Sequence, residues 1–322
     1  MPDWLTVILL GIIEGITEFL PISSTGHLLL AEQWLPRQSE LFNVVIQCGA
    51  VLAVLPLFPE RWQQLLFRWR EPETRSYFLK VIFAFALTGV GGLILKKKGF
   101  KLPEEAMPIG WAMLIGGVLF VVVERWLKGR PLRNDVTWSI ALAVGIGQLI
   151  AAIFPGTSRS GATILFSLIL GLNRPLAAEF CFIVGIPTML AAGGLEMFKA
   201  LHHAPPGSVR ESWGLLLLAC LVAAVVSFIA VRWLLRYVQT HTFSGFGWYR
   251  IAVGLLILGL VFAKARGANV AVHGNQLHEI GRIMIECARG SKERGTLNTE
   301  CARPRAQQLA KAKVAYFPHA AN

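Results

Sequence analysis

The chain has 322 residues, of which 54% are hydrophobic and only 16% are charged, and its formal net charge is +12. An ordinary soluble domain carries about 25% charged residues, so the composition argues against a water-soluble enzyme and favours a lipid environment. The basic residues lie mainly between apolar segments and in the C-terminal tail. Anionic lipid headgroups explain that placement better than nucleic acid does, and no nucleic-acid partner is expected.

Two apolar stretches, 4–33 and 137–170, are interrupted in the middle by Pro, Gly, Ser and Thr. A helix needs roughly 20 mostly apolar residues to cross the hydrocarbon core. Irregular backbone at membrane depth has to be surrounded by protein or by a water-filled cavity. We therefore predict a re-entrant helix pair for each stretch instead of a simple span.

Uninterrupted apolar runs elsewhere predict full transmembrane helices, six in all. They lie at 41–58, 78–95, 108–126, 177–199, 213–235 and 247–264. Beyond them the sequence turns polar and basic, so we expect one membrane domain over 1–265 and a flexible tail over 266–322.

The two interrupted stretches resemble each other. When Pro21 is laid on Pro155, Phe-Leu-Pro-Ile-Ser-Ser matches Ile-Phe-Pro-Gly-Thr-Ser, and Ser24 falls on Ser158. Paired interrupted segments indicate inverted repeats with a binding site between them. The expected fold class is an all-α polytopic membrane protein with six full transmembrane helices and two re-entrant helix pairs. Its pseudo-repeats would cover about 1–126 and 137–264.

The loops at 59–77 and 125–136 lie on the same face if both interrupted stretches re-enter. Both loops are rich in arginine, so the positive-inside rule makes that face cytoplasmic. Four lysines between 96 and 101 on the opposite face weaken the contrast. Under this topology the first re-entrant pair enters from the periplasmic side.

Four ionisable side chains, Glu14, Glu18, His27 and Arg159, lie inside the interrupted apolar stretches. Each charge costs roughly 2.5 to 3.5 kcal/mol at mid-membrane. Four unpaired charges would cost on the order of 10 kcal/mol, which matches a typical net folding stability of about 5 to 15 kcal/mol. They are therefore expected to be paired, hydrated or held for a charged ligand, and function is the default interpretation.

Glu14 and Glu18 are four residues apart and project from one face of a helix. Two carboxylates on one face can share a divalent cation, and oxygen ligands suit Mg²⁺ or Ca²⁺. A solvent-facing position is the alternative for these two glutamates. Close helix packing is the alternative for the neighbouring Gly11 and Gly15.

The segment 23–27 is a hydroxyl-rich turn that ends in a glycine and a histidine. Ser24 is a candidate nucleophile if a base accepts its proton, and His27 is the candidate base because imidazole titrates near neutrality. Helix capping is the alternative for Ser23.

The second turn contains Arg159 between two serines. A guanidinium offers a planar fork of donors that matches phosphate oxygens, and the surrounding glycines and hydroxyls could expose an anion-binding nest. A structural arginine that snorkels to the interface is the alternative. Gln47 and Thr163 could add hydrogen bonds to the ligand or serve the fold. The residues expected to bind phosphate are Thr25, Gly26, Gln47, Ser158, Arg159, Ser160 and Thr163.

These motifs resemble the bacitracin-resistance type of undecaprenyl-diphosphatase over roughly residues 1–265. The resemblance rests on Glu-Gly-Ile-Thr-Glu-Phe-Leu-Pro-Ile-Ser-Ser-Thr-Gly-His at 14–27 and on Pro-Gly-Thr-Ser-Arg-Ser-Gly at 155–161. It implies a hydrolase in the bacterial inner membrane that converts undecaprenyl diphosphate to the monophosphate carrier of cell-wall synthesis. It also implies a periplasm-facing site, an inverted-repeat fold and a divalent cation, Mg²⁺ or Ca²⁺.

Our working hypothesis is that Arg159 clamps the diphosphate while a cation on Glu14 and Glu18 neutralises it, and Ser24, activated by His27, attacks the terminal phosphorus. Water activated by the metal, or His27 itself, could be the nucleophile instead. The main rival is a polyprenyl-phosphate transporter or flippase without hydrolase activity, since broken helices in inverted repeats are typical of transporters. Membrane lipids are expected partners, and a homodimer is left open.

Overall fold

The computed structural model describes residues 2–36, 38–99, 105–202 and 212–264, so the predicted tail lies outside the described residues. The described chain is helical throughout, as predicted, apart from turns and one isolated bridge between Arg133 and Leu172. The helices are α1 Asp3–Thr17, α2 Ser24–Ala31, α3 Glu40–Val54, α4 Pro59–Phe67, α5 Pro72–Lys97, α6 Ala106–Leu127, α7 Trp138–Ile153, α8 Arg159–Ile169, α9 Arg174–His202, α10 Trp213–Thr240 and α11 Ser244–Lys264.

Five of these helices are long and apolar enough to cross a bilayer, namely α5, α6, α9, α10 and α11. A sixth candidate is the pair of α3 and α4, which is bent by 75° at a short break. Pro56 and Pro59 flank Phe58 at this break, and proline removes a backbone donor and disfavours a continuous helix. The multi-pass, all-helical character predicted from hydropathy is therefore confirmed.

Both interrupted stretches break into two helices around their proline. Residues 18–23 separate α1 from α2, and residues 154–158 separate α7 from α8. The amide of Arg133 donates to the carbonyl of Gly171 at 2.8 Å, and the amide of Asn173 donates to the carbonyl of Arg133 at 3.0 Å. Because these residues lie just before α7 and just after α8, that pair runs out and back as a hairpin.

Close contact between α1 and α10 fixes the orientation of the helix that carries the two glutamates. A Cβ on Gly11 would lie 2.8 Å from the carbonyl oxygen of Ala219, and a Cβ on Gly15 would lie 2.7 Å from that of Ala223. Only glycine permits this approach without displacing the helices. The close-packing alternative weighed for these glycines is therefore what the structure shows.

A buried ion pair at the end of α6 joins this helix to α9 and to the segment between α10 and α11. Glu124 has a side chain that is only 1% exposed, and both of its carboxylate oxygens accept from Arg174 Nε at 3.0 Å. One of these oxygens also accepts from the amide of Phe243 at 2.8 Å. The pair ties α6 to the start of α9 and to the segment between α10 and α11.

Candidate active site

The break within each interrupted stretch ends on a serine with a left-handed backbone, Ser23 with φ 74° and Ser158 with φ 66°. Ser23 Oγ accepts from the amide of Gly26 at 3.4 Å, and Ser158 Oγ accepts from the amide of Gly161 at 3.1 Å. The helix-capping alternative weighed for Ser23 is thus observed. A non-glycine residue in this region costs about 1 to 3 kcal/mol and persists where surrounding contacts fix it.

The two capping serines show that the alignment of the two stretches on their prolines is shifted by one residue after the turn. Ser23 follows Pro21 by two residues, whereas Ser158 follows Pro155 by three, so the second turn is one residue longer. Alignment on the prolines placed Ser24 on Ser158, but the matching caps place Ser24 on Arg159. The candidate nucleophile and the candidate phosphate clamp are therefore the first residues of two similarly capped helices, α2 and α8.

One carboxylate joins these two helix starts. Arg159 Nη2 donates to Glu18 Oε1, and Ser24 Oγ donates to Glu18 Oε2 at 2.7 Å. The Glu18 side chain is 5% exposed and that of Arg159 is 27% exposed. The serine turn and the arginine turn therefore converge, and Glu18 contacts residues from both.

The cluster borders a cavity of about 650 Å³. This volume lies in the range of about 300 to 1,000 Å³ typical of small-ligand sites. Part of its wall is apolar, with Leu28, Leu29 and Met189 among the lining residues. The charged residues of the lining are Arg159 and three glutamates, and the polar side chains in all are Glu18, Ser23, Ser24, Thr25, Glu32, Asn43, Gln47, Thr88, Gln148, Ser158, Arg159, Thr188 and Glu196. A ligand with an anionic head and an apolar body matches such a wall.

Three predicted phosphate-binding residues are not among the residues that line this cavity. Ser160 Oγ donates to the carbonyl of Leu20 at 3.1 Å, and Thr163 Oγ1 donates to the carbonyl of Arg159 at 2.9 Å. A Cβ on Gly26 would overlap the sulfur of Met113. In the described geometry these residues therefore support the turns, while Thr25, Gln47, Ser158 and Arg159 face the cavity.

His27 faces away from Ser24. Its Nδ1 lies 2.7 Å from the carbonyl oxygen of Ser23, and its Nε2 lies 2.7 Å from the hydroxyl of Tyr249. Because a carbonyl can only accept, Nδ1 carries a hydrogen, and in the neutral ring Nε2 accepts from the tyrosine. His27 lines a second cavity of about 490 Å³ instead. The group in contact with Ser24 Oγ is Glu18, which differs from the expectation that His27 accepts the serine proton.

Glu14 is fully buried, and neither of its carboxylate oxygens has a hydrogen-bond partner in the described part of the chain. Glu18 and Gln47 are polar neighbours. A buried carboxylate beside a second carboxylate costs several kcal/mol unless a proton or a cation neutralises it, so this position fits one that holds a cation. Over residues 2–36, 38–99, 105–202 and 212–264, no group of three or more His, Cys, Asp or Glu side chains could hold a metal by itself.

Sequence reasoning missed two residues of α11 that contact the turns. Tyr249 contacts His27, and Arg250 is fully buried with its guanidinium directed at main-chain carbonyls of both turns. The available signal was a lone arginine inside the predicted span 247–264, since an ionisable residue within a membrane helix indicates a role.

Comparison of the sequence with known proteins shows which family the chain belongs to. The family model described as bacitracin resistance protein BacA matches residues 7–256, which include both turns. Curated relatives named undecaprenyl-diphosphatase include one from Rhizobium etli, 51% identical over 259 residues, and one from Xanthomonas oryzae pv. oryzae, 48% identical over 262 residues. Each match covers 80% of this chain and 97% of the relative. The chain therefore belongs to the family of the bacitracin resistance protein BacA.

Proposed function

We propose that this protein hydrolyses undecaprenyl diphosphate to undecaprenyl phosphate and inorganic phosphate at the cluster of Glu18, Ser24 and Arg159. The observation that carries the proposal is that one buried carboxylate contacts both a serine hydroxyl and an arginine at the wall of a cavity. Relatives of about half-identical sequence are named for this activity. Regenerating the monophosphate recycles the lipid carrier for cell-wall synthesis, and the family name links it to bacitracin resistance.

Arg159 is suited to bind the terminal phosphate. Its guanidinium has five donors, and Glu18 engages one of its terminal nitrogens. With 27% of the side chain exposed, the remaining donors can form charge-assisted hydrogen bonds to phosphate oxygens. The Arg159–Glu18 contact therefore orients the phosphate beside the oxygen of Ser24.

Ser24 is the nucleophile in this proposal, and Glu18 is the base. Oε2 accepts the hydroxyl proton over a 2.7 Å hydrogen bond as Oγ attacks the terminal phosphorus. The phosphorus–oxygen bond to the bridging oxygen breaks and undecaprenyl phosphate leaves. Water then attacks the phosphorus of the phosphoserine, the bond between phosphorus and Oγ breaks, and Oγ takes the proton back from Glu18. The phosphate leaves as dihydrogen phosphate, with both protons of the water. Phosphoryl transfer depends mainly on positioning and charge stabilisation, which this arrangement supports.

His27 acts as a positioning residue here. Its Nδ1–H donates to the carbonyl of Ser23, the residue that precedes Ser24. This hydrogen bond stabilises the left-handed backbone of the capping serine. The other nitrogen of His27 is occupied by the hydroxyl of Tyr249. The imidazole therefore holds the turn that presents the nucleophile without touching Oγ.

Glu14 and Glu18 would hold a divalent cation, Mg²⁺ or Ca²⁺, with Gln47 as a neighbouring oxygen donor. The unpartnered oxygens of Glu14 support this assignment. Both ions take oxygen ligands, and Mg²⁺ in particular is commonly completed by substrate phosphates and water. When bound, the cation would neutralise part of the diphosphate charge.

We place the cavity towards the periplasmic face of the bacterial inner membrane, between two inverted repeats. The hairpin of α7 and α8 supports this placement, since both of its ends lie beside the arginine-rich loop 125–136 that the positive-inside rule assigns to the cytoplasm. Its capped turn then penetrates from the cytoplasmic side. The similarly capped turn between α1 and α2 would enter from the opposite side.

Purified protein in detergent tests the proposal when given undecaprenyl diphosphate with Mg²⁺ or Ca²⁺ and then with a chelator. We expect phosphate release by the wild type and a loss of at least about 100-fold in Ser24→Ala, because the variant lacks the nucleophile. Ser139→Ala, at an exposed position of α7, is the matched control. Acid quenching with a radiolabelled terminal phosphate should trap label on wild-type protein.

The outcomes separate the alternatives. No phosphate release from folded wild type would overturn the hydrolase and favour a lipid transporter, which a vesicle translocation assay would detect. If Ser24→Ala releases phosphate at the wild-type rate and no label is trapped on the wild-type protein, the attack is instead assigned to water.

A further inference from the structure

Arg250 contacts four main-chain carbonyls on three segments of the chain. Nη1 donates to the carbonyl of Pro21 at 3.2 Å, and Nη2 donates to the carbonyls of Gly156 and Ala112, each at 3.2 Å. Nε lies 3.4 Å from the carbonyl oxygen of Met113. In the described part of the chain, all of its acceptors are main-chain carbonyls. The residue is fully buried, so carbonyl dipoles alone stabilise its charge.

Two of these carbonyls belong to the two catalytic turns, at matching positions. Pro21 precedes Ser24 by three residues, and Gly156 precedes Arg159 by three. We propose that Arg250 is a positioning residue that fixes the separation of the two turns and thereby the distance between the attacking oxygen and the phosphate clamp. This inference rests on the proposed function, because it assigns Arg250 to the reaction of that site.

Gly116 on α6 provides a second, independent observation. A Cβ at this position would lie 2.9 Å from Arg250 Cζ and closer still to Nη2. A Cβ on Gly161 would lie 3.0 Å from Nη1. The guanidinium therefore occupies space that a side chain at position 116 would fill. In that position it lies within hydrogen-bonding distance of both turns.

The chemistry of the side chain explains why a smaller or neutral residue would not substitute. Burial of an unpaired charge costs several kcal/mol. An apolar residue would fill the same space without that cost, so the charge itself indicates a role. A lysine keeps the charge but presents a compact ammonium in place of a planar fork. Its three donors share one nitrogen, whereas the two turns accept from different nitrogens of Arg250, Nη1 for Pro21 and Nη2 for Gly156. The bridging geometry is thus specific to arginine.

The first experiment compares Arg250→Lys and Gly116→Ala with the wild type in detergent, using phosphate release and thermal unfolding. We expect both variants to fold and to lose about 100-fold in kcat/KM, since a displacement of about 1 Å at a reacting centre costs that much. Gly89→Ala on α5 is the matched control, because a Cβ there meets nothing within 4 Å. It should retain wild-type activity.

The second experiment is chemical rescue of Arg250→Ala. A cavity of about 430 Å³ beside α6 includes Arg250 in its lining, so removal of the side chain adds room there for a small cation. Guanidinium should raise the activity at least about tenfold, whereas methylammonium should not, because only the planar ion matches both carbonyls. A merely structural loss would not respond to the shape of the added ion.

The results decide between the ideas. If the wild type is active and Arg250→Lys is equally active, this inference is overturned, but the proposed function is not. Loss of folded protein in both Arg250→Lys and Gly116→Ala, or equal rescue by both cations, would also overturn it by showing a role in the fold only. A folded but inactive wild type would overturn the proposed function and this inference with it.

Discussion

Replacement of Glu14 by glutamine should increase stability while it reduces activity. The Glu14 carboxylate is 0% exposed, and both of its oxygens lack a hydrogen-bond partner in the described chain. An unsatisfied buried acceptor costs about 1 to 3 kcal/mol, and more when charged. Glutamine has the same shape without the charge. In the presence of a chelator we therefore expect Glu14→Gln to be about 2 kcal/mol more stable than the wild type.

Divalent cations should reverse that order. A ligand at 100 times its dissociation constant stabilises the state that binds it by about 2.7 kcal/mol. The wild type should gain this stabilisation from Mg²⁺ or Ca²⁺, and Glu14→Gln should lose most of it together with at least about 100-fold in phosphate release, since even outer-shell changes cost 10- to 100-fold. Thermal unfolding with and without cation, run beside the phosphate assay, measures both effects.

A matched substitution on the surface isolates the effect of burial. Glu60 lies exposed on α4, and Glu60→Gln should change stability by less than about 0.5 kcal/mol. The reasoning fails if Glu14→Gln is less stable than the wild type in chelator. It fails equally if that variant keeps the full cation-induced shift and the wild-type rate, since Glu14 would then hold no cation.

Three further substitutions test individual contacts. Tyr249→Phe keeps the ring but removes the hydroxyl that donates to His27, and should lower kcat/KM about fivefold, equivalent to about 1 kcal/mol; an unchanged rate would remove Tyr249 from the positioning network. Gly15→Ala should lower the thermal midpoint, because forcing α1 away from α10 costs about 1 to 3 kcal/mol; a midpoint equal to that of the wild type would refute this. Glu124→Ala leaves Arg174 unpaired and should reduce the free energy of unfolding by about 3 kcal/mol in denaturant titration. Its KM should stay within about twofold because Glu124 does not line the site cavity, and a large rise would contradict that separation.

Hydropathy and the positions of Pro, Gly and ionisable residues were sufficient to predict the membrane-spanning helices and the two interrupted stretches. The long apolar runs became α5, α6, α9, α10 and α11, and both breaks fall around Pro21 and Pro155. These features follow from local costs: the length needed to cross a bilayer, the missing donor of proline and the penalty for a charge in hydrocarbon. A single sequence contains all of that information.

The position of the helix caps could not be obtained in the same way. Alignment on the prolines placed Ser24 on Ser158, whereas the left-handed caps at Ser23 and Ser158 shift the second turn by one residue. The backbone conformation of a serine depends on the contacts around it, because the left-handed region is not favoured by its own chemistry. Only the folded turn reveals which serine caps the helix.

The sequence by itself determined that Glu14, Glu18, His27 and Arg159 are charges an apolar segment would not carry without a purpose. The tertiary structure decided their partners. Glu18 and Arg159 are 141 positions apart, and His27 and Tyr249 are 222 apart, so their contacts depend on how α1, α8 and α11 pack. The sequence suggested His27 as the base for Ser24, but in the folded protein the side chain that contacts Ser24 Oγ is Glu18. Burial cost is a property of each residue, whereas pairing is a property of the packed helices.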